Sequence, residues 1–244
     1  MIIFACVFGG TLGGMFIREA LPKHHLTGET ENVVKLGIGV IATMSALVFG
    51  LLLASAKGSF DIRDSEIRRL YANLILLDHQ LVHYGPETKE ARDLLRHYTT
   101  LKIDATWPDE ASQPVKDANT WVLLEEIQDK LRALAPQNDA QRWLKERALQ
   151  VSGDVAQIRW LLREQLEGSI PVPFLLILVF WLTIIFTSFG LFAPQNATAI
   201  AALFVCSLSV AGAVFLILEL DRPFAGVIHI SSAPARDTLA QLSQ

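Results

Sequence analysis

Long apolar runs alternate with polar stretches along this chain, and four of the runs have the composition of membrane helices. They are residues 1 to 17, 34 to 56, 172 to 192 and 198 to 220. A helix needs about 20 predominantly apolar residues to cross the hydrocarbon core of a bilayer. The first run is shorter than the others. However, it has neither the basic residues nor the cleavage site of a signal peptide, which favours a retained helix.

The charged residues are concentrated between the second and third apolar runs. Residues 61 to 168 hold 15 of the 21 Lys and Arg and 19 of the 25 Asp and Glu. Within this block apolar residues recur every three or four positions in four segments, as in Leu70, Leu74, Leu77 and Leu81. This spacing is typical of amphipathic helices. Four such helices with their apolar seams facing inward predict a bundle.

These patterns predict an all-α membrane protein with four transmembrane helices in two pairs and a cytoplasmic helical bundle inserted between the second and third. The expected boundaries are 1–58 for the first pair, 59–168 for the bundle, 169–222 for the second pair and 223–244 for a cytoplasmic tail. Only Gly58 and Ser59 separate the second apolar run from the charged block, and neither forces a break. One helix is therefore expected to continue from the membrane into water.

The composition agrees with a membrane protein that carries a soluble insert. Hydrophobic residues make up 51% of the chain and charged residues 19%, more charge than a chain buried wholly in a bilayer would carry. The net charge of -4 is small and mixed in sign, so it gives no indication of nucleic-acid binding. Lys and Arg near the predicted spans are more numerous on the side of the insert, which predicts that the bundle and both termini are cytoplasmic.

No residue pattern typical of an enzyme occurs in the sequence, which contains no GxSxG, Walker, dinucleotide-binding or CxxC motif. Cys6 and Cys206 lie in apolar runs, which argues against a disulfide or a thiolate metal site. His79 and His83 have the four-residue spacing of a metal-binding pair. They fall on the polar side of their helix without an HExxH pattern, so solvated side chains are expected. We predict no catalytic residue, no cofactor and no metal.

The second apolar run offers two helix faces for interpretation. Gly39, Thr43, Ala46, Gly50 and Ala54 share one face, and small residues allow membrane helices to pack closely. Another face is a candidate pore lining whose apolar rings would gate by dewetting. The residues of that face are Ile38, Ile41, Ser45, Val48 and Leu52. Close packing between helices, without a pore, is the alternative interpretation.

A charged motif closes the last apolar run. Its residues are Glu219, Asp221, Arg222, Pro223 and Phe224, and the proline ends the helix where the charges meet the membrane interface. One interpretation is a local arrangement that determines how the chain leaves the helix. The other is a charged vestibule ring, formed when the motif is repeated around an oligomer.

Four stretches of the chain resemble the bacterial bestrophin-like family, which is distantly similar to the bestrophin channels. They are GGTLGGMFIREALPKHHL near the start, LGIGVIATMSALVFGLLLASAKGSFD (36–61), LILLDHQLVHYGPET (74–88) and FAPQNATAIAALFVCSLSVAGAVFLILELDRPFAGVIHISSAP (192–234). The resemblance implies four spans with a cytosolic helical region between the second and third, in a pentamer. It also implies a bacterial inner-membrane location and inorganic ions as ligands.

Two functions are compatible with these observations. The first is an oligomeric ion channel in the lipid bilayer, with the second transmembrane helix lining the pore. The alternative is a non-conducting membrane scaffold or sensor that acts through its helical bundle, because apolar seams serve contacts between proteins as well as an internal core.

Overall fold

The structure, a computed structural model, describes residues 1–22, 28–107, 117–164, 170–224 and 226–243. Within these ranges the chain forms eight α-helices and no strand, so the predicted all-α class is confirmed. The helices are α1 (Ile2–Ala20), α2 (Gly28–Tyr84), α3 (Lys89–Thr106), α4 (Asp117–Ala133), α5 (Asp139–Glu164), α6 (Val172–Phe192), α7 (Ala197–Leu220) and α8 (Ala233–Leu242). A short 3₁₀ helix, Pro86–Thr88, precedes α3.

Four of the described helices, α1, α2, α6 and α7, are long and apolar enough to cross a membrane. The 57 residues of α2 give it a length of about 85 Å. As expected, this helix continues through Gly58 and Ser59 without interruption. It ends at Tyr84 because Gly85 follows with a φ of 135°, a conformation that glycine tolerates better than other residues.

The chain divides into two compact units. Unit 1 comprises Met1–Phe60 and Gly168–Arg222, and unit 2 comprises Asp61–Glu167 and Pro223–Gln244. Helix α2 contributes its apolar part to unit 1 and its amphipathic part to unit 2. The boundary predicted at residue 168 lies outside the described residues.

Unit 1 is built around close packing of α1 against α6. A Cβ atom added at Gly14 would overlap the carbonyl oxygen of Thr187, and one added at Gly190 would overlap the carbonyl oxygen of Thr11. The backbones of α1 and α6 therefore lie in close contact, as at other small-residue contacts between membrane helices. At one end the Arg18 guanidinium donates a hydrogen bond to the carbonyl oxygen of Ala193, just beyond α6.

Helix α7 packs on α1 through aromatic side chains. The Phe204 ring meets Phe4 and Phe8 edge to face, with ring centroids 5.4 and 5.3 Å apart, an arrangement that aromatic pairs prefer. In a separate cluster, the buried side chains of Leu178 on α6 and Ile217 on α7 pack with Leu52 of α2. All four apolar helices therefore contribute to the core of unit 1.

Unit 2 has a core formed by the predicted seams. Leu70, Leu74, Leu77 and Leu81 of α2 are all almost fully buried. They are joined by Leu95 and Tyr98 of α3, Leu124, Ile127 and Leu131 of α4, and Val151, Val155 and Ile158 of α5. Amphipathic periodicity thus identified most of the residues that leave water, but on α3 the buried leucine is Leu95 rather than Leu94, which the spacing had indicated and which is half-buried.

The C-terminal segment 223–244, expected as a cytoplasmic tail, is grouped with Asp61–Glu167 in unit 2. The backbone N–H of Ile230 donates to the carbonyl oxygen of Pro223 at 2.7 Å, and the Trp107 indole donates to the carbonyl oxygen of Ile230 at 2.8 Å. Helix α8 lies against α3 and buries Ala235, Thr238 and Leu242. These residues recur every three or four positions, so they form a face that packs.

Candidate pore face of the long helix

The five residues predicted to line a pore lie on the face of α2 that packs inside unit 1. Ile38 and Ile41 contact a core cluster of Val7, Ile185 and Phe186. Val48 packs against a second cluster, of which Leu52 is itself a buried member, and Ser45 is only 4% exposed. The five residues therefore lie against the rest of unit 1, and whether they line a pore stays a prediction.

Another face of α2, about 120° around the helix from the packed one, carries a stripe of exposed, large apolar side chains. At 100° per residue its members fall within a sector of about 80°. They are Leu36, Val40, Met44, Leu47 and Leu51. Apolar surface exposed in a single membrane subunit is available to lipid, to a neighbouring subunit or to a pore.

A second stripe of small residues lies beside the large one, and it too is exposed. It consists of Gly39, Thr43, Ala46, Gly50 and Ala54. A Cβ added at Gly39 or Gly50 would meet no atom within 4 Å, so these glycines do not serve packing within the subunit. The Thr43 hydroxyl donates to the Gly39 carbonyl oxygen at 2.9 Å, which satisfies its hydrogen bond within the helix.

Helix α2 is also the least buried of the four apolar helices. In their most apolar windows, 11% of the residues of α2 are buried, against 17% in α7 and 22% in both α1 and α6. Near its N-terminal end α2 stands apart from α6 and α7, leaving an apolar groove of about 700 Å³ lined by Ile38, Phe189 and Leu203 among others. Most residues in the apolar part of α2 are therefore not buried within the chain.

The charged motif at the end of α7 lies where the chain passes from unit 1 to unit 2. The backbone N–H of Arg222 donates to the Glu219 carbonyl oxygen at 3.0 Å, closing the last turn at Asp221. Pro223 is buried, and the Phe224 ring meets the Trp107 ring edge to face at 6.0 Å. These contacts involve the last turn of α7 and the start of the segment that follows it, and both interpretations of the motif stay predictions.

Two ion pairs link elements of unit 2. The Arg92 guanidinium of α3 donates to both carboxylate oxygens of Asp78 on α2, at 2.7 and 3.2 Å, and this hydrogen bonding raises the pKa of Arg92. Lys130 of α4 contacts the carboxylate of Glu90 on α3 at 2.6 Å. Its hydrogen bond and charge lower the pKa of that carboxyl group. Each pair joins two helices of unit 2, and only the Arg92–Asp78 pair is largely shielded from water.

His79 and His83 lie close together on an exposed part of α2. Their ring centroids are 4.7 Å apart, with 60° between the ring planes. Among the described residues, no group of three or more His, Cys, Asp or Glu is placed to hold a metal ion. The pair is therefore the nearest approach to a metal site in the described part of the chain.

The family of the chain follows from comparison with known proteins. The model of the Bestrophin-like domain matches residues 5–235, nearly the whole chain. The chain belongs to the Bestrophin-like family. A comparison with curated proteins gives no match.

Solved structures of the same family share the fold. A bacterial bestrophin homologue from Klebsiella pneumoniae matches with a TM-score of 0.70 and 13% identity, over 99% of this chain and 97% of that one. Two single-residue variants of the homologue match with TM-scores of 0.69 and 0.67, at 13% and 14% identity. The first match covers 100% of this chain and 98% of that one, and the second covers 100% of both. The bestrophin-like fold is therefore shared despite low identity.

Sequence reasoning missed the exposed stripe on α2 because residues 36 to 56 are apolar or small at every position. A helix that is apolar all round gives no periodic signal for the side that packs. The one sequence signal that pointed to the exposed side was the stripe of small residues, which the packing inside the subunit leaves uncovered.

Proposed function

We propose that this chain is one subunit of a homo-oligomeric ion channel, a pentamer by family resemblance, with α2 lining the pore. The observation that supports α2 most directly is its exposed face. The face of this helix that carries Ile38, Ile41, Ser45, Val48 and Leu52 packs inside the subunit. Val40, Met44, Leu47 and Leu51 are left uncovered. Membership of the Bestrophin-like family supports the channel function.

The two exposed stripes of α2 suit two different neighbours in a ring of subunits. Small residues such as Gly39 and Gly50 allow another helix to approach closely, so the small stripe would contact the adjacent subunit. The large stripe would then face the axis, where repeated rings of apolar side chains form a constriction that conducts when wetted and closes when dewetted.

In this proposal the protein lies in a bacterial inner membrane, with unit 2 and both termini in the cytoplasm. The support is the excess of Lys and Arg on that side of the predicted spans. Glu219, Asp221 and Arg222 follow the last span, and their repetition around the ring would place a charged vestibule at the cytoplasmic end of the spans. Rings of acidic and basic side chains of this kind influence which ions enter a channel.

The pore face is tested by substituting Leu47 with a polar residue of smaller size. We expect Leu47→Thr to increase ion flux into liposomes by at least about fivefold, equivalent to about 1 kcal/mol of barrier, because a polar ring is wetted more easily. Leu176→Thr on α6 is the matched control, since the two leucines are 67% and 64% exposed. Equal flux in wild-type protein and the Leu47 variant would place the pore elsewhere.

The rival function is a non-conducting scaffold or sensor acting through the bundle. Trp143 and Trp160 of α5 favour it, because they are 61% and 56% exposed and tryptophan is enriched at protein interfaces. Electron microscopy of the purified protein separates the two functions. A ring of subunits with an axial opening and measurable flux supports the channel, and a monomer or dimer without flux supports the scaffold.

A further inference from the structure

The imidazole rings of His79 and His83 lie on successive turns of α2, one above the other. Both side chains are exposed, and their ring centroids are 4.7 Å apart. A four-residue spacing on a helix places two side chains on the same face, and it is the spacing with which paired histidines bind zinc on helices. The structure adds that the two exposed rings are neighbours, with 60° between their planes.

The distance between the rings matches shared coordination of one ion. With metal–nitrogen bonds of about 2.05 Å and angles at the metal from about 90° to about 109°, two ring centroids lie roughly 4.5 to 5.2 Å apart. The observed 4.7 Å falls inside this interval. Two imidazoles held at this separation need little rearrangement to bind the same cation.

Along α2 itself the sequence around the pair carries a carboxylate and no basic residue, while Arg92 of α3 pairs with Asp78. Residues 75 to 87 contain no Lys or Arg, and they include the carboxylates Asp78 and Glu87. The Asp78 carboxylate is held by Arg92 at 2.7 Å on the buried side of the helix. The histidines therefore face solvent with no basic residue within a turn of either along α2.

We propose that His79 and His83 form a binding site for a late first-row divalent cation: Cu²⁺, Ni²⁺ or Zn²⁺. The two imidazoles supply two nitrogen ligands, and water completes the coordination, because no third ligand accompanies them in the described residues. Affinity follows the order in which Cu²⁺ exceeds both Ni²⁺ and Zn²⁺. An open site with two protein ligands exchanges its ion readily, unlike a closed structural site with four.

This site rests on one helix of one chain and does not depend on the proposed channel. It goes beyond the expectation that the two histidines are solvated side chains. Spacing alone left that interpretation open, whereas the distance between the rings favours coordination.

The experiment is titration of full-length protein in detergent, purified without a histidine tag, with Cu²⁺ followed by electron paramagnetic resonance and with Zn²⁺ followed by calorimetry. We expect about one ion per chain, with nitrogen hyperfine structure from imidazole in the copper spectrum. His79→Gln and His83→Gln should each weaken binding at least about tenfold, since even outer-shell changes at metal sites cost about 10- to 100-fold.

Two controls separate the pair from other histidines. His97→Gln removes a lone exposed histidine on α3, and His24→Gln/His25→Gln removes an adjacent pair that lies outside the described residues. Both should bind as the wild type does. Circular dichroism and thermal melting confirm that each variant is folded, since glutamine is polar and compatible with a helix.

Unchanged affinity in either folded His79 or His83 variant overturns the proposal, as does equal weakening in the His97 control. The readout is ion binding to the purified protein, so its failure leaves the channel proposal standing. Conversely, the absence of flux in liposomes leaves the metal site standing.

Discussion

The Asp78 carboxylate accepts two hydrogen bonds from the Arg92 guanidinium, in a pair that joins α2 to α3. The side chains are only 12% and 23% exposed, so water screens the interaction weakly. By contrast, Arg68 and Asp64 form an ion pair at 2.9 Å on α2 with 61% and 31% exposure. Exposed pairs of that kind contribute little to stability, whereas hydrogen bonds to partly buried charged groups contribute about 1.5 to 3 kcal/mol.

The first prediction compares these two carboxylates. Asp78→Asn should lower the free energy of unfolding by about 1.5 to 3 kcal/mol, because the Arg92 charge loses its partner in a partly buried position. Asp64→Asn should lower it by less than about 1 kcal/mol. Thermal unfolding of the full-length protein, followed by intrinsic fluorescence, should show a drop of several degrees for the first variant only. Equal melting temperatures would contradict this assignment.

At the scale of elements, the packing of α1 on α6 depends on one of two overlapping glycine pairs in α1. Gly10 and Gly14 face α6, and a Cβ at either would approach within about 3 Å of atoms on that helix. Gly9 and Gly13 have no atom within 4 Å of an added Cβ. The spacing of four residues is identical in both pairs, so only the position of the partner helix distinguishes them.

The second prediction uses this difference. Gly14→Ala should destabilise unit 1 by about 1 to 3 kcal/mol or more, because the new methyl group overlaps the rigid backbone at Thr187 rather than a movable side chain. Gly13→Ala should be neutral or slightly stabilising, since alanine favours a helix by up to about 1 kcal/mol over glycine. Melting temperatures in detergent measure both. A loss of stability in the Gly13 variant as large as that in the Gly14 variant would show that α1 packs by its other face.

Helix α2 shows which packed faces a sequence pattern can predict and which it cannot. Its amphipathic half carries alternating seam and polar positions, and the predicted seam from Leu70 to Leu81 is buried as expected. Its apolar half has no polar side to identify the packed face, and the predicted pore residues lie on the side that packs inside unit 1, with Ser45 and Leu52 buried. Periodicity therefore identified the packed face in the amphipathic half of α2 but not in the apolar half.

At the scale of the whole molecule, residues from both ends of the charged block and from the C-terminus combine into one unit. Residues 223–243 return to the bundle through Phe224, Ile230 and helix α8. The Arg96 guanidinium of α3 donates a hydrogen bond to the Leu242 carbonyl oxygen, and the Leu242 side chain is almost fully buried. The C-terminal segment thus contributes to the stability of unit 2.

The third prediction tests this contribution by truncation. Ending the chain after Ser232 removes α8 and should destabilise unit 2 by roughly 3 kcal/mol, because burial of Leu242 alone contributes about 1.5 to 3 kcal/mol. Ending it after Leu242 removes only the last two residues and should leave the melting temperature unchanged. If the C-terminal segment were a tail without contacts, both truncated proteins would melt like the full-length chain.

The sequence by itself determined the all-α class, the four apolar helices, the amphipathic helices of the bundle and the family. The class and the helices depend on composition and on local periodicity, which any stretch of 15 to 25 residues carries on its own, whereas the family was indicated by the resemblance of four stretches of sequence. Only the tertiary structure decided which face of α2 is covered, which glycine pair of α1 packs, where the C-terminal segment lies and that the His79 and His83 rings meet. Each of these depends either on contacts between distant segments or on the orientation of side chains. Local periodicity in the sequence predicts neither.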